Sequence, residues 1–286
     1  MSTRTLDFKD HRRELDRNRY VYAVVSRRAR GLSIGVNLNT DKLCNFDCPY
    51  CQVDRRTPGG PSAVEVPRLA SELTRLLDRV ASGGVWQEAP FDTVAAPLRR
   101  LADVAFSGDG EPTTPPEFPA AAQAVRAILD RRALGIPLRL ITNATMFDRP
   151  RVREALAHFD ELWCKLDAGS EPYFQLVDGT RLPFAKVLKN LADVARERPI
   201  VIQSMFLRYA GAPPSDDEIE AYLGRLSDIL AAGGRISLVQ VYTVAREPAD
   251  ARCEPLPPDA LEAIAARVRT LGLQAEVYGS EIDGRS

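Results

Sequence analysis

The chain has 286 residues, 45% apolar and 27% charged, with a formal net charge of −1. That length suits one large α/β domain or two smaller ones, and so near-neutral a balance gives no whole-molecule field for nucleic acid or an anionic membrane. No stretch approaches the ~18 apolar residues of a membrane span, and charges begin at Arg4 with no apolar run behind them, so the expected location is cytoplasmic, with no membrane partner.

The charge is uneven. Residues 1–30 carry nine Arg and Lys against four Asp and Glu, a surplus of +5. This basic N-terminal arm (1–30) has two readings. It could meet phosphate or RNA through residues 12–30, or it could be a solvated segment packed beside the core by Tyr20, Tyr22, Val24 and Val25. Residues 31–286 read as the core domain.

From there strands and helices alternate. Leu32–Leu38 is a strand. A helix follows, with Pro67 in its first turn, Leu69, Leu73, Leu76, Leu77 and Val80 on one face, and Gly83-Gly84 at its end. Val104–Phe106, Leu138–Ile141, Leu162–Leu166, Ile200–Phe206 and Ile236–Tyr242 are short apolar strands, and Leu273–Val277 is a candidate last one. Between them lie helices over Phe118–Leu129, from Pro150, over Phe184–Ala195, from a capping box at Ser215–Glu218, and over Pro257–Leu271. About six β/α units in one series predict an α/β fold, a partial (β/α)6 TIM-like barrel of parallel strands in a single domain, with chemistry at the strand C-termini.

Just past the first of these strands stand Cys44, Cys48 and Cys51, spaced C-x3-C-x2-C with Tyr50 before the last. A structural zinc site wants four ligands, and neither His11 nor His158 lies near in sequence. Three thiolates on one loop suit a [4Fe-4S] cluster with one open iron; zinc is the alternative. Of the other two cysteines, Cys164 lies within a strand and reads as core, and Cys253 lies in a Pro-rich loop and reads as a bystander.

This loop resembles the signature of the radical S-adenosylmethionine (SAM) superfamily. The run Ser107-Gly108-Asp109-Gly110-Glu111-Pro112 resembles that family's Gly-Gly-Glu-Pro element, with Asp109 between the glycines, and Val36–Asn39 with Cys44–Gln52 looks like the wyosine-base-synthase group. The resemblance implies a [4Fe-4S] cluster on the three cysteines and SAM as second cofactor. It also implies cleavage of SAM to a 5′-deoxyadenosyl radical that abstracts hydrogen from a substrate. Implied SAM contacts are Tyr50, Ser107, Gly108, Asp109, Gly110, Glu111 (for the SAM ammonium), Asn143, Lys165, Asp167, Gln203 and Tyr242. For each the bland reading stays open: a Gly-rich turn at 108–110, strand-end turn chemistry at Asn143, a mutual ion pair of Lys165 with Asp167, and core packing of Tyr242. The synthases of that group carry cysteines upstream of the first motif for a second cluster, and this chain has none before Cys44. The expected enzyme is therefore of iron–sulfur oxidoreductase type with its reaction class open. It would be served by a reductant protein such as flavodoxin or ferredoxin and act on a small molecule. The alternatives are a tRNA-base-modifying enzyme and a non-enzymatic iron–sulfur or zinc protein.

Overall fold

The structure, a computed structural model, describes residues 18–26 and 28–279. These fall into two compact units. The first takes the described residues up to Leu43 with Pro58–Ile141 and Pro150–Asp160; the second takes Cys44–Thr57, Thr142–Arg149 and everything from Glu161. The fold class is the expected one: α/β, with parallel strands of the partial TIM-like barrel type.

In the first unit β1 (Val21–Ser26) pairs antiparallel with β2 (Gly31–Val36). Helix α1 (Val66–Ala81) follows, then β3 (Leu101–Phe106), α2 (Phe118–Arg132), β4 (Leu138–Thr142) and α3 (Pro150–Ala155). β3 lies parallel to β2, with Phe106 opposite Val36, and β4 parallel to β3. Within the basic arm, residues 1–17 and Arg27 lie outside the described residues. Tyr20, Tyr22, Val24 and Val25 are buried, and residues 21–26 form a strand of the sheet. α1 buries Leu69, Leu73, Leu76 and Leu77, as its three-and-four spacing requires, each worth about 2 kcal/mol. Phe106, Phe118 and Phe159 form a ring cluster with centroids 5.1–6.1 Å apart that fixes β3 against α2.

The second unit runs β5 (Glu161–Lys165), α4 (Glu171–Asp178), α5 (Phe184–Glu197), β6 (Ile200–Met205), β7 (Leu207–Tyr209) and α6 (Asp216–Ala231). It ends with β8 (Ile236–Tyr242), β9 (Cys253–Pro255), α7 (Pro258–Arg269) and β10 (Ala275–Tyr278). β5, β6, β8 and β10 pair in parallel in that order, and β7 with β9 makes a small antiparallel ribbon.

In this unit three elements had no counterpart in the periodicity. β7 and β9 are three residues each, too short to show a pattern. α4 is only eight residues, although Ser170 caps it and Pro172 sits in its first turn. The capping box at Ser215 is half made. Ser215 accepts the Glu218 N–H (3.2 Å), but the Glu218 carboxylate is diverted to the N–H of Gly169 and Ser170 at the start of α4. Cys164 is fully buried in β5, and Cys253 packs with Leu207 and Val244, where burial pushes its thiol up to about 11.

Candidate functional site

In the second unit the cysteine loop is pinned by short-range polar bonds. The Asn45 side chain donates to Thr145 Oγ1 (2.6 Å) and accepts from Asn143 Nδ2 (2.7 Å). Asn143 Oδ1 in turn accepts from the Thr145 N–H and hydroxyl. Asn190 ties Ala144 to α5 (2.8 Å), and the Thr180 hydroxyl donates to the Asn45 carbonyl (3.2 Å). Further along, the Asp47 N–H donates to the Asp178 carbonyl (3.2 Å), and the carbonyls of Pro49 and Cys51 accept from Asp250 and Ala249 (3.0 Å each). Gly179 follows α4 at φ 57°, and a Cβ there would stand 2.0 Å from the Asp47 carbonyl oxygen. Phe46 packs edge-on against Phe174 at 5.5 Å, which anchors the loop's apolar side. Backbone and side chains together therefore fix the loop that carries Cys44, Cys48 and Cys51.

The three thiols are half-buried, and a cavity of about 700 Å³ opens beside them, lined by Cys48, Cys51, Arg55, Asp47, Asp54 and Glu247 among others. Among the described residues no three His, Cys, Asp or Glu side chains converge on a point as ligands of one ion. Three thiols on one pinned loop beside open space are a donor set that fits a [4Fe-4S] cluster with one iron left open.

Behind Cys48 lies a buried charge network. Lys165 pairs with Asp167 and with Asp178 (2.8 Å), and its ammonium stands 4.5 Å over the Tyr50 ring. Tyr50 donates its hydroxyl to Asp167, which also accepts the Met205 N–H (2.9 Å). The Cys48 thiol donates to Asp178 Oδ1 at 3.7 Å. Burial works against the Lys165 charge, yet Asp167 and Asp178 override it and hold the ammonium well above its ordinary pKa. One cation cannot compensate two buried carboxylates, so burial raises Asp167 and pushes Asp178 up to about 7 against the pull of Lys165. Burial raises the Cys48 thiol as well, with Lys165 opposing.

The mutual ion pair of Lys165 and Asp167, open from the sequence, is therefore made, and it is joined by Asp178, which sequence reasoning missed. Asp178 is brought in by α4, the helix the periodicity did not reveal. Asn143 bonds to Asn45 of the cysteine loop through its amide nitrogen and to Thr145 through its amide oxygen, and Gln203 donates to Gln240 across β6 and β8 (2.7 Å). Tyr242 ends β8 near enough to Lys165 to favour its charge.

In the first unit the loop after β3 carries Ser107–Glu111. Asn37, just past β2, clamps it: its Oδ1 accepts the Asp109 N–H (3.1 Å) and its Nδ2 donates to the Asp109 carboxylate (2.6 Å). A Cβ at Gly108 would stand 2.2 Å from Asn37 Oδ1, and one at Gly110 2.0 Å from the Leu43 carbonyl oxygen, so close packing demands both glycines. Tyr22 and Ser107 share a hydroxyl bond (3.0 Å). Glu111 is 3% exposed and accepts from the Thr113 N–H (3.2 Å) and hydroxyl (2.6 Å). A buried carboxylate on a rigid glycine loop can receive an ammonium group.

Residues 39–226 match the family model described as Radical SAM superfamily. The chain is 26% identical over 176 residues to a Helicobacter pylori (strain J99) protein described as UPF0026 protein, covering 60% of this chain and 49% of that one. It spans about half the length of the curated relatives of that description. Among solved structures it is similar to a radical SAM methyltransferase from Sphaerobacter thermophilus, with TM-score 0.63 and 15% identity over 91% of this chain and 69% of that one. It is also similar to a structure of TYW1 with a lysine-pyruvate adduct bound, with TM-score 0.56 and 15% identity over 88% and 84%. Identities this low speak for the fold alone. Among the described residues no helix is long and apolar enough to cross a membrane.

Proposed function

We infer that, because the chain belongs to the radical SAM superfamily, it reductively cleaves SAM and turns the product radical on a small-molecule substrate. The family uses a [4Fe-4S] cluster and SAM. When bound, these supply one electron to the sulfonium and a 5′-deoxyadenosyl radical that takes a hydrogen atom from the substrate.

The observation that carries this reading is the cysteine loop, fixed by Asn45, Asn143 and Thr145 beside an adjoining cavity. Cys44, Cys48 and Cys51 hold the cluster. Glu111, with Asn37 and the two glycines fixing its loop, accepts N–H groups of the SAM amine. Lys165 and Asp167 act first as the buried pair that supports Tyr50 and Cys48, and Asn143 first as a brace of the loop. Ser107, Gly108, Asp109, Gly110, Gln203 and Tyr242 shape the surroundings of SAM.

A reductant protein of flavodoxin or ferredoxin type supplies the electron. A small molecule is favoured over RNA because residues 19–26 of the basic arm are committed: residues 21–26 are sheet, and Arg19 pairs with Glu65. The test is anaerobic reconstitution followed by reduction in the presence of SAM. A brown protein that releases 5′-deoxyadenosine, with both properties lost in Cys48→Ala, supports the reading. A colourless protein with stoichiometric zinc overturns it.

A further inference from the structure

We propose that Arg55 is a positioning residue for the cluster, setting its reduction potential by donating an N–H to the Cys51 sulfur. This rests on the cluster reading above and goes beyond it. Arg55 lies four residues past Cys51, and its Nη1 approaches the Cys51 Sγ at 3.7 Å, within the range of a hydrogen bond to sulfur. Cys44 is within hydrogen-bonding and electrostatic reach of the same guanidinium.

The choice of partner is informative. Asp47, Asp54 and Glu247 line the same cavity and offer carboxylates, the usual partners of an arginine. Asp54 is instead spent on its own turn, accepting from the Arg56 N–H (2.9 Å) and the Thr57 hydroxyl (2.8 Å). The planar fork faces the Cys51 and Cys44 thiols on a loop that is itself pinned, with the Asp47 carboxylate close enough to favour its charge, so the contact is built and not a passing surface encounter. Arg56, next in sequence, is exposed and serves as an internal control.

Reduction adds one electron to the cluster with no bond made or broken, and the added negative charge is spread over the thiolate sulfurs. An N–H donor and a positive charge at one of those sulfurs stabilise the reduced state more than the oxidised one, which raises the potential. The cation thereby eases electron entry from the reductant.

The test is a dithionite-mediated redox titration of the reconstituted full chain without SAM, read by electron paramagnetic resonance. Arg55→Met is expected to lower the midpoint by about 59 mV or more, the equivalent of a tenfold change in the reduced-to-oxidised ratio for a one-electron couple. Arg55→Lys, which keeps the charge and loses the fork, should fall between, and Arg56→Met should match the parent. An Arg55→Met protein with full iron content and the parent's potential overturns the proposal. If Arg55→Met does not retain iron, Arg55→Lys decides: a lowered potential supports the proposal and an unchanged one overturns it. A parent that takes up no cluster overturns the underlying reading instead, and the iron analysis reports that separately.

Discussion

Replacing Lys165 by Met removes the one cation that, among the described residues, pairs with Asp167 and Asp178 behind Cys48. The Lys165 side chain is 15% exposed, and those of its partners Asp167 and Asp178 are 0% and 2% exposed, so water cannot take over the lost pairing. Breaking a buried pair from one side costs about 3–5 kcal/mol, because the remaining charge stays buried and uncompensated. At about 2–4 °C per kcal/mol for a chain of this size, the melting temperature should drop by roughly 6–20 °C. The second-site variant Lys165→Met with Asp178→Asn should recover more than half of that loss. It leaves one carboxylate, Asp167, which keeps its donors Tyr50 and Met205 N–H. Anaerobic thermal melts followed by circular dichroism measure both. A single variant within about 2 °C of the parent, or a double variant no better than the single, refutes the view that Lys165 holds two buried carboxylates in place.

Glu72 offers a pH test in the other unit. Burial alone would raise its carboxyl, but the N–H groups of Arg19 and Tyr20 and the Arg68 guanidinium hold it below the ordinary value. A depressed folded pKa contributes stability above the ordinary carboxylate range near 4.3 and loses it as pH falls through the folded value. Glu72→Gln should therefore be less stable than the parent at pH 7 by about 1.5–3 kcal/mol, the worth of hydrogen bonds to a charged group, and the gap should narrow progressively as pH falls below the ordinary range near 4.3. A gap that is the same at pH 7 and pH 3.5 in urea titrations contradicts this. Gly179→Ala forces a Cβ against the Asp47 carbonyl at a positive φ, a cost of at least about 1–2 kcal/mol. Because Asp47 lies between Cys44 and Cys48, the variant should also lose iron to a chelator faster than the parent; equal rates contradict the claim that this contact shapes the loop.

What the sequence disclosed and what it concealed divide along physical lines. The parallel strands and long helices were legible because each buries a face with a regular period, as the Leu69, Leu73, Leu76 and Leu77 stripe of α1 does. The cysteine loop and the Ser107–Glu111 run were legible because their residue types are rare in that spacing. The partners that hold these loops were not. Asn37 clamps Asp109 from 72 positions away, Asn143 meets Asn45 from 98, and Asp178 reaches Cys48 from 130. No local pattern encodes such distances; they follow from the strand order. Before residue 31 the charge surplus and the apolar run of Val21–Val25 point to different readings of one segment, and pairing with β2, which no local pattern encodes, makes that run a strand.

The account stands most directly on one resonance measurement, the electron–nuclear double resonance spectrum of the reduced cluster with SAM labelled by ¹⁵N at its amino group. A ¹⁵N coupling of directly bound strength is predicted for the parent. With Glu111→Gln the same coupling should appear only at SAM concentrations raised by about tenfold or more, since the carboxylate that accepts the N–H groups of the SAM amine is gone. A reduced, fully loaded cluster with no ¹⁵N coupling at saturating SAM would contradict the assignment of Cys44, Cys48 and Cys51 as a site with an open iron for SAM.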